Sequence, residues 1–202
     1  MAYLKLEEPN LAMQDCQRAI QVDERFAKAY NRLSKCYVAM GDLQAASMSL
    51  AKSLEISPKD AVNKKDQKAL NDLKITEKLV NKAIAEEHYA RAVAQLNNLL
   101  EQTFASLTHI CLKIECMLRA FKFEDANKYS AELMKNEKFA NNPRILCWRG
   151  KVLIYTGADV LGKKHLQQAM NFDPDLKECL LVIKMVKTVS YTHLTLPTIL
   201  RV

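Results

Sequence analysis

Small residues recur along this chain at a fixed step, and that recurrence narrows the possible folds more than any other feature. Ala12 and Ala46 are 34 residues apart, Ala92 and Ala126 are again 34 apart, and Gly162 follows 36 later. Around each stands the same local pattern. In the stretch 26–58, Tyr30, Leu33, Ser34 and Tyr37 fall at helical spacing, Gly41 interrupts, and Leu43, Ala46, Leu50 and Leu54 resume the spacing before Pro58. Apolar residues three and four apart line one face of a helix, glycine closes it and proline forbids continuation. The stretch therefore predicts two antiparallel helices joined by a tight turn. Tyr89 to Ala92 and Phe123 to Ala126 repeat the aromatic-x-x-alanine signal. A single hairpin cannot bury both faces of its helices, whereas hairpins stacked at a fixed period share a continuous core. The predicted class is all-α, an α-solenoid.

One step breaks the rule. Ala46 to Ala92 is 46 residues, 12 more than the period, and the excess falls in 60–87. That segment has no glycine or proline, carries six lysines and keeps Leu70, Leu73, Val80 and Ala83 at helical spacing. It predicts one extended helix that joins two repeat blocks and doubles as the first helix of the next repeat. The chain then divides as follows: 1–58 is the end of an N-terminal block, 59–87 the basic linking helix, 88–174 further repeats, and 175–188 a capping helix. The first repeat reads as truncated, because Ala2 to Leu6 resembles the closing turns of a helix whose opening half is absent, as in a fragment of a longer protein. Val189 to Leu200 carries no formal charge, and Val189 to Thr198 resembles a translated library adapter. Residues 189–202 are read as a non-native tail and kept out of fold reasoning.

Composition excludes several function classes. Six cysteines without a Cys-x-x-Cys pair, no signal peptide and no apolar run of bilayer length point to a reducing, cytoplasmic setting with no membrane partner. Glycine-rich phosphate loops, Gly-x-Ser-x-Gly and His-Glu-x-x-His are all missing, so no catalytic residue, enzyme activity or cofactor is predicted. His109, Cys111 and Cys116 lack the paired spacing of a zinc site, and no metal is expected. Cys36 and Cys116 each stand seven residues before a second-helix start, at Leu43 and Phe123, as small buried packing residues would. A formal net charge of +7 favours acidic partners without specifying them.

The candidate site comes from one helical face. Lys28, Arg32 and Lys35 fall at i, i+4 and i+7, with Asn31 one step aside, so one face offers three cations and an amide. Arginine supplies a planar fork for bidentate pairing and lysine a mobile point charge; together they suit a carboxylate.

The aromatic, leucine, small, aromatic order of Tyr30 to Tyr37, followed by Gly41-Asp-Leu and Ala46, resembles the tetratricopeptide repeat consensus. The resemblance implies a right-handed superhelix whose first helices line a concave groove. Phe26-Ala-Lys28-Ala-Tyr30-Asn-Arg32 is similar to the third repeat of a dicarboxylate-clamp domain. There a lysine and an arginine matching Lys28 and Arg32 grip the Glu-Glu-Val-Asp tail of heat-shock protein 70 or heat-shock protein 90. Asn31 and Lys35 would line the same groove. The family's remaining lysine and two asparagines come from first helices of preceding repeats, which this chain lacks. Asp23 to Phe26, Gly41 to Ala46, Leu112 to Cys116, Arg149-Gly150 and Pro174-Asp175 resemble the tetratricopeptide region of J-domain co-chaperones, although no His-Pro-Asp tripeptide of a J-domain is present. The implied function is a non-enzymatic co-chaperone scaffold that docks an acidic chaperone tail.

Later repeats carry different residues at the positions of Lys28 and Arg32: Lys74 and Lys78, Thr108 and Leu112, then Arg144 and Trp148. Packing, or other protein partners, is the expectation there. A scaffold for another partner is the alternative function. An RNA-binding helical repeat is weaker still, because few aromatics stand among the lysines of the linking helix to stack on bases.

Overall fold

The computed structural model describes residues 8–192, with side chains through 186. Helices follow in the order α1 (Pro9–Val22), α2 (Ala27–Met40), α3 (Leu43–Ile56), α4 (Ala61–Ala85), α5 (Tyr89–Gln102), α6 (Leu107–Arg119), α7 (Phe123–Lys135), α8 (Glu137–Ala140), α9 (Pro143–Tyr155), α10 (Asp159–Phe172) and α11 (Lys177–Thr192). No strand occurs among the described residues. The expected first-helix remnant at Ala2 to Leu6 lies outside them, as does the tail from residue 193 onward. Residues 189–192, read from the sequence as part of the tail, continue α11 instead.

Each hairpin turn is closed the same way. Gly41 takes a left-handed conformation (φ 81°), its N–H donates to Val38 O at 2.9 Å, and the Asp42 N–H reaches back to Tyr37 O at 2.9 Å. Those bonds satisfy carbonyls that the end of a helix otherwise leaves open. Asp42 then starts α3, its carboxylate accepting from the Ala45 N–H at 2.8 Å. The left-handed residue recurs as Glu87 (φ 57°), Phe121 (φ 57°) and Gly157 (φ 84°). The same long backbone bond recurs too, from His88 to Ala83 O, Lys122 to Met117 O and Ala158 to Leu153 O. The steps from 41 to 87, 121 and 157 are 46, 34 and 36, the same steps as those between the small residues. The turn repeats even where glycine does not.

The chain divides into two compact units, residues 1–113 and 114–202. In the first, α2 packs on α1 and α3, and α4 packs on α3 with its first part and α5 with its second. Leu43, Ala46, Leu50 and Leu70 form a buried cluster edged by Tyr37, Val38, Leu54 and Leu73. Val80 and Ala83 bury the far end of α4, and Ala92, Leu96 and Leu99 bury α5. The expected linking helix is thus one continuous helix held inside the first unit, and the division falls within α6.

In the second unit α9 packs against α7, α10 and α11. Leu146, Cys147, Ile154, Leu166, Ala169, Cys179 and Val182 form its core. Gly150 and Gly162 face each other across α9 and α10: a Cβ on either would stand 2.9 Å from the other's carbonyl oxygen. In the first unit the equivalent pair is Ser34 and Ala46, joined by a bond from Ser34 Oγ to Ala46 O at 2.8 Å. Cys36 and Cys116, paired by repeat position, are both buried.

Candidate functional site

The four predicted carboxylate-binding residues share one side of α2, but the structure divides them into two pairs. Asn31 turns its amide toward α4, where Nδ2 donates to Asn63 Oδ1 at 2.8 Å and to Asp66 Oδ2 at 2.8 Å. Lys35 Nζ lies 3.0 Å from the same Asp66 oxygen. Behind them, Asn63 Nδ2 donates to Ser53 Oγ at 2.9 Å, and Ser53 Oγ donates to Ala27 O at 2.8 Å. This run of bonds pins the start of α4 against α2 and α3. Every buried polar group in it has a partner, the condition under which such a network stabilises instead of costing energy.

Lys28 and Arg32 are placed differently. Neither has a hydrogen bond or ion pair among the described residues. Lys28 is exposed. Arg32 lines a cavity of about 120 Å³ with Asp15, Cys16 and Phe26, between α1 and α2. The face therefore keeps two unpaired cations, while the charge of Lys35 is met by Asp66. Sequence reasoning missed Asp66, which lies five residues into α4 as Arg32 lies five residues into α2.

At the positions equivalent to Lys28 and Arg32 in later repeats, Lys74 is tied to Ser47 Oγ on α3, Lys78 is exposed, and Arg144 pairs with Glu178. Thr108 lines a polar cleft of about 390 Å³ at the α2–α3 turn, together with Asp42, Gln44, Glu77, Ser106 and His109. His109 is buried there. Its Nδ1 lies 2.9 Å from Thr103 Oγ1 and its Nε2 3.5 Å from Glu77 Oε1. Burial pushes its pKa below the usual histidine range, and Glu77 offsets part of that. The Ala105 N–H donates to Ala39 O at 3.0 Å, so the α5–α6 loop is seated on the end of α2. A Cβ at Gly41 would fall on Ser106, which explains why this turn keeps glycine.

Comparison with known proteins agrees with this architecture. Residues 27–60 match the family model described as tetratricopeptide repeat. Over 176 residues the chain is 23% identical to human DnaJ homolog subfamily C member 7, covering 87% of this chain and 35% of that protein. The homologue from Dictyostelium discoideum is 22% identical over 178 residues, covering 88% and 33%. The chain thus spans about a third of the length of these curated relatives. Among solved structures, the tetratricopeptide domain of P58(IPK) superposes with a TM-score of 0.70 at 13% identity, over 95% of this chain and 54% of that one. Among the described residues no helix is long and apolar enough to cross a membrane. Periodic hairpins, recurring left-handed turns and these likenesses converge: the fold is an α-solenoid of tetratricopeptide-type hairpins, and the chain is similar over most of its length to DnaJ homolog subfamily C member 7.

Proposed function

We propose that the chain is a non-enzymatic co-chaperone scaffold that takes the acidic C-terminal tail of heat-shock protein 70 or heat-shock protein 90 on α2. The observation that carries this reading is the pair Lys28 and Arg32, one turn apart and unpaired among the described residues. They occupy the repeat positions at which clamp domains hold carboxylates. Their similarity context, DnaJ homolog subfamily C member 7, supports the same class of protein. The ligand would set one carboxylate against the fork of Arg32 and another against Lys28, each bond strengthened by charge. Asn31 and Lys35 act at one remove in this reading, because Asp66 already occupies them.

The test is fluorescence anisotropy of a labelled peptide ending in Glu-Glu-Val-Asp, against the full chain and variants that retain its helical circular dichroism. Arg32→Glu or Lys28→Glu weakens binding by about 2 kcal/mol, roughly thirtyfold in Kd. Asp66→Asn removes the carboxylate that pairs with Lys35 on this side of α2. With that negative charge gone the face repels an anionic tail less, so binding tightens, by roughly two- to fivefold for a partly screened charge. Equal binding by the reversed-charge variants, or by a peptide with an amidated end, rejects the clamp.

A further inference from the structure

Each unit brings two thiols together across a helix contact. In the first, Cys16 of α1 and Cys36 of α2 are 7% and 0% exposed, and their thiols share a hydrogen bond. In the second, Cys147 of α9 and Cys179 of α11 are 2% and 0% exposed and are joined in the same way. All four are free thiols. Side chains that already touch across two helices meet the approach a disulfide requires.

The pairs differ in access. Cys16 lines the cavity of about 120 Å³ between α1 and α2, together with Asp15, Phe26 and Arg32. That is room for several waters, or for a small hydroperoxide. Cys36 stands behind Cys16 and is closed off from solvent. Burial raises the Cys16 thiol above its ordinary range and Asp15 adds to the rise, while the Cys36 hydrogen bond and the Arg32 guanidinium each draw it back. Cys36 is pushed up to about 12, by burial first and then by Cys16. The thiolate is the nucleophile, and it forms more readily on the cysteine that the cavity reaches. In the second unit Cys179 spends its thiol proton on Leu166 O at 3.6 Å, and both cysteines lie inside the core cluster with Leu146 and Ile154.

We infer that Cys16 and Cys36 form an oxidation site, at which hydrogen peroxide entering the cavity converts the two thiols into a disulfide between α1 and α2. The Cys16 thiolate attacks one peroxide oxygen, the O–O bond breaks, and the departing hydroxide takes up the thiol's proton as water. Cys16 is then a sulfenic acid. The Cys36 sulfur attacks that of Cys16, the S–O bond breaks, and the second hydroxide leaves as water with the Cys36 proton. Two thiols lose two electrons, and the peroxide is reduced to two waters. The site stands whether or not α2 receives a chaperone tail.

The test exposes the folded full chain to hydrogen peroxide, blocks the remaining thiols with N-ethylmaleimide in denaturant, and maps linked tryptic peptides by mass spectrometry. Peptides 6–18 and 36–52 should be joined about tenfold faster or more than peptides 145–149 and 178–184, and dithiothreitol should separate them. In Cys16→Ser, Cys36 should remain a thiol under the same treatment. Sulfinic acid at Cys16 with Cys36 still free, links between chains only, or joining of both pairs at equal rates overturns the proposal, as does oxidation of Cys36 in Cys16→Ser. The first three outcomes are read on the unaltered chain, so they decide the question even if Cys16→Ser does not fold.

Discussion

Gly162→Ala is the substitution on which sequence and structure disagree about sign. Gly162 stands at the repeat position held by Ala46, Ala92 and Ala126, and alanine within a helix is favoured over glycine by about 1 kcal/mol, so periodicity alone predicts a more stable protein. The geometry opposes this. A Cβ at 162 would lie 2.7 Å from Ile154 Cγ1, 2.9 Å from Gly150 O and 3.2 Å from Ile154 N. Carbon contacts settle near 3.5–4.0 Å, so α10 must retreat by roughly 0.5–1 Å. That retreat opens the packing of Leu166 and Ala169 against α9 and, like other overpacked substitutions, costs about 2–3 kcal/mol. The net loss is about 1–2 kcal/mol. Urea unfolding followed by Trp148 emission reports the unit that contains the change. With a slope of about 2 kcal/mol per M, the midpoint should fall by roughly 0.5–1 M without a change in slope. An unchanged or raised midpoint would refute the claim that the α9–α10 approach is limited by backbone contact.

Two other outcomes follow from the turns and from the buried histidine. Glu87 holds a left-handed conformation that costs an L residue about 1–2 kcal/mol, so after glycine's larger chain entropy, about 0.5–1 kcal/mol, is subtracted, Glu87→Gly should stabilise the first unit by roughly 0.5–1 kcal/mol in urea unfolding. His109 has a folded pKa below its unfolded value, so the unfolded chain binds the extra proton first and stability declines as pH falls from about 6.5 toward the lower folded pKa. In His109→Gln that part of the slope should vanish, as measured by urea midpoints at pH 7.5, 6.5 and 5.5; an identical slope would assign the pH dependence to other groups.

Much of the fold is legible without coordinates, because its signals are local. Tyr30 to Leu54 encodes two helices through spacing and Gly41, and the segment 60–87 encodes one long helix through the absence of any breaker. The turns at Glu87 and Phe121 were harder to read. No glycine marks them, and only their place in the period forces those residues into the left-handed region. The site was half legible. Lys28, Asn31, Arg32 and Lys35 were assigned to one helical face, and that is where they stand. Which of them stay unpaired depended on Asp66, brought to α2 by the packing of α4.

By itself the sequence determined the period, the hairpins and the residues each helix presents, because side-chain spacing and chain-breaking residues act within a few positions. Only the tertiary structure decided which charges are spent. Asp66 quenches Lys35, Glu178 quenches Arg144, and Lys151 is left on an indole. The two ion pairs join residues 31 and 34 positions apart, and their strength depends on distance and burial, quantities that exist only once the helices have stacked.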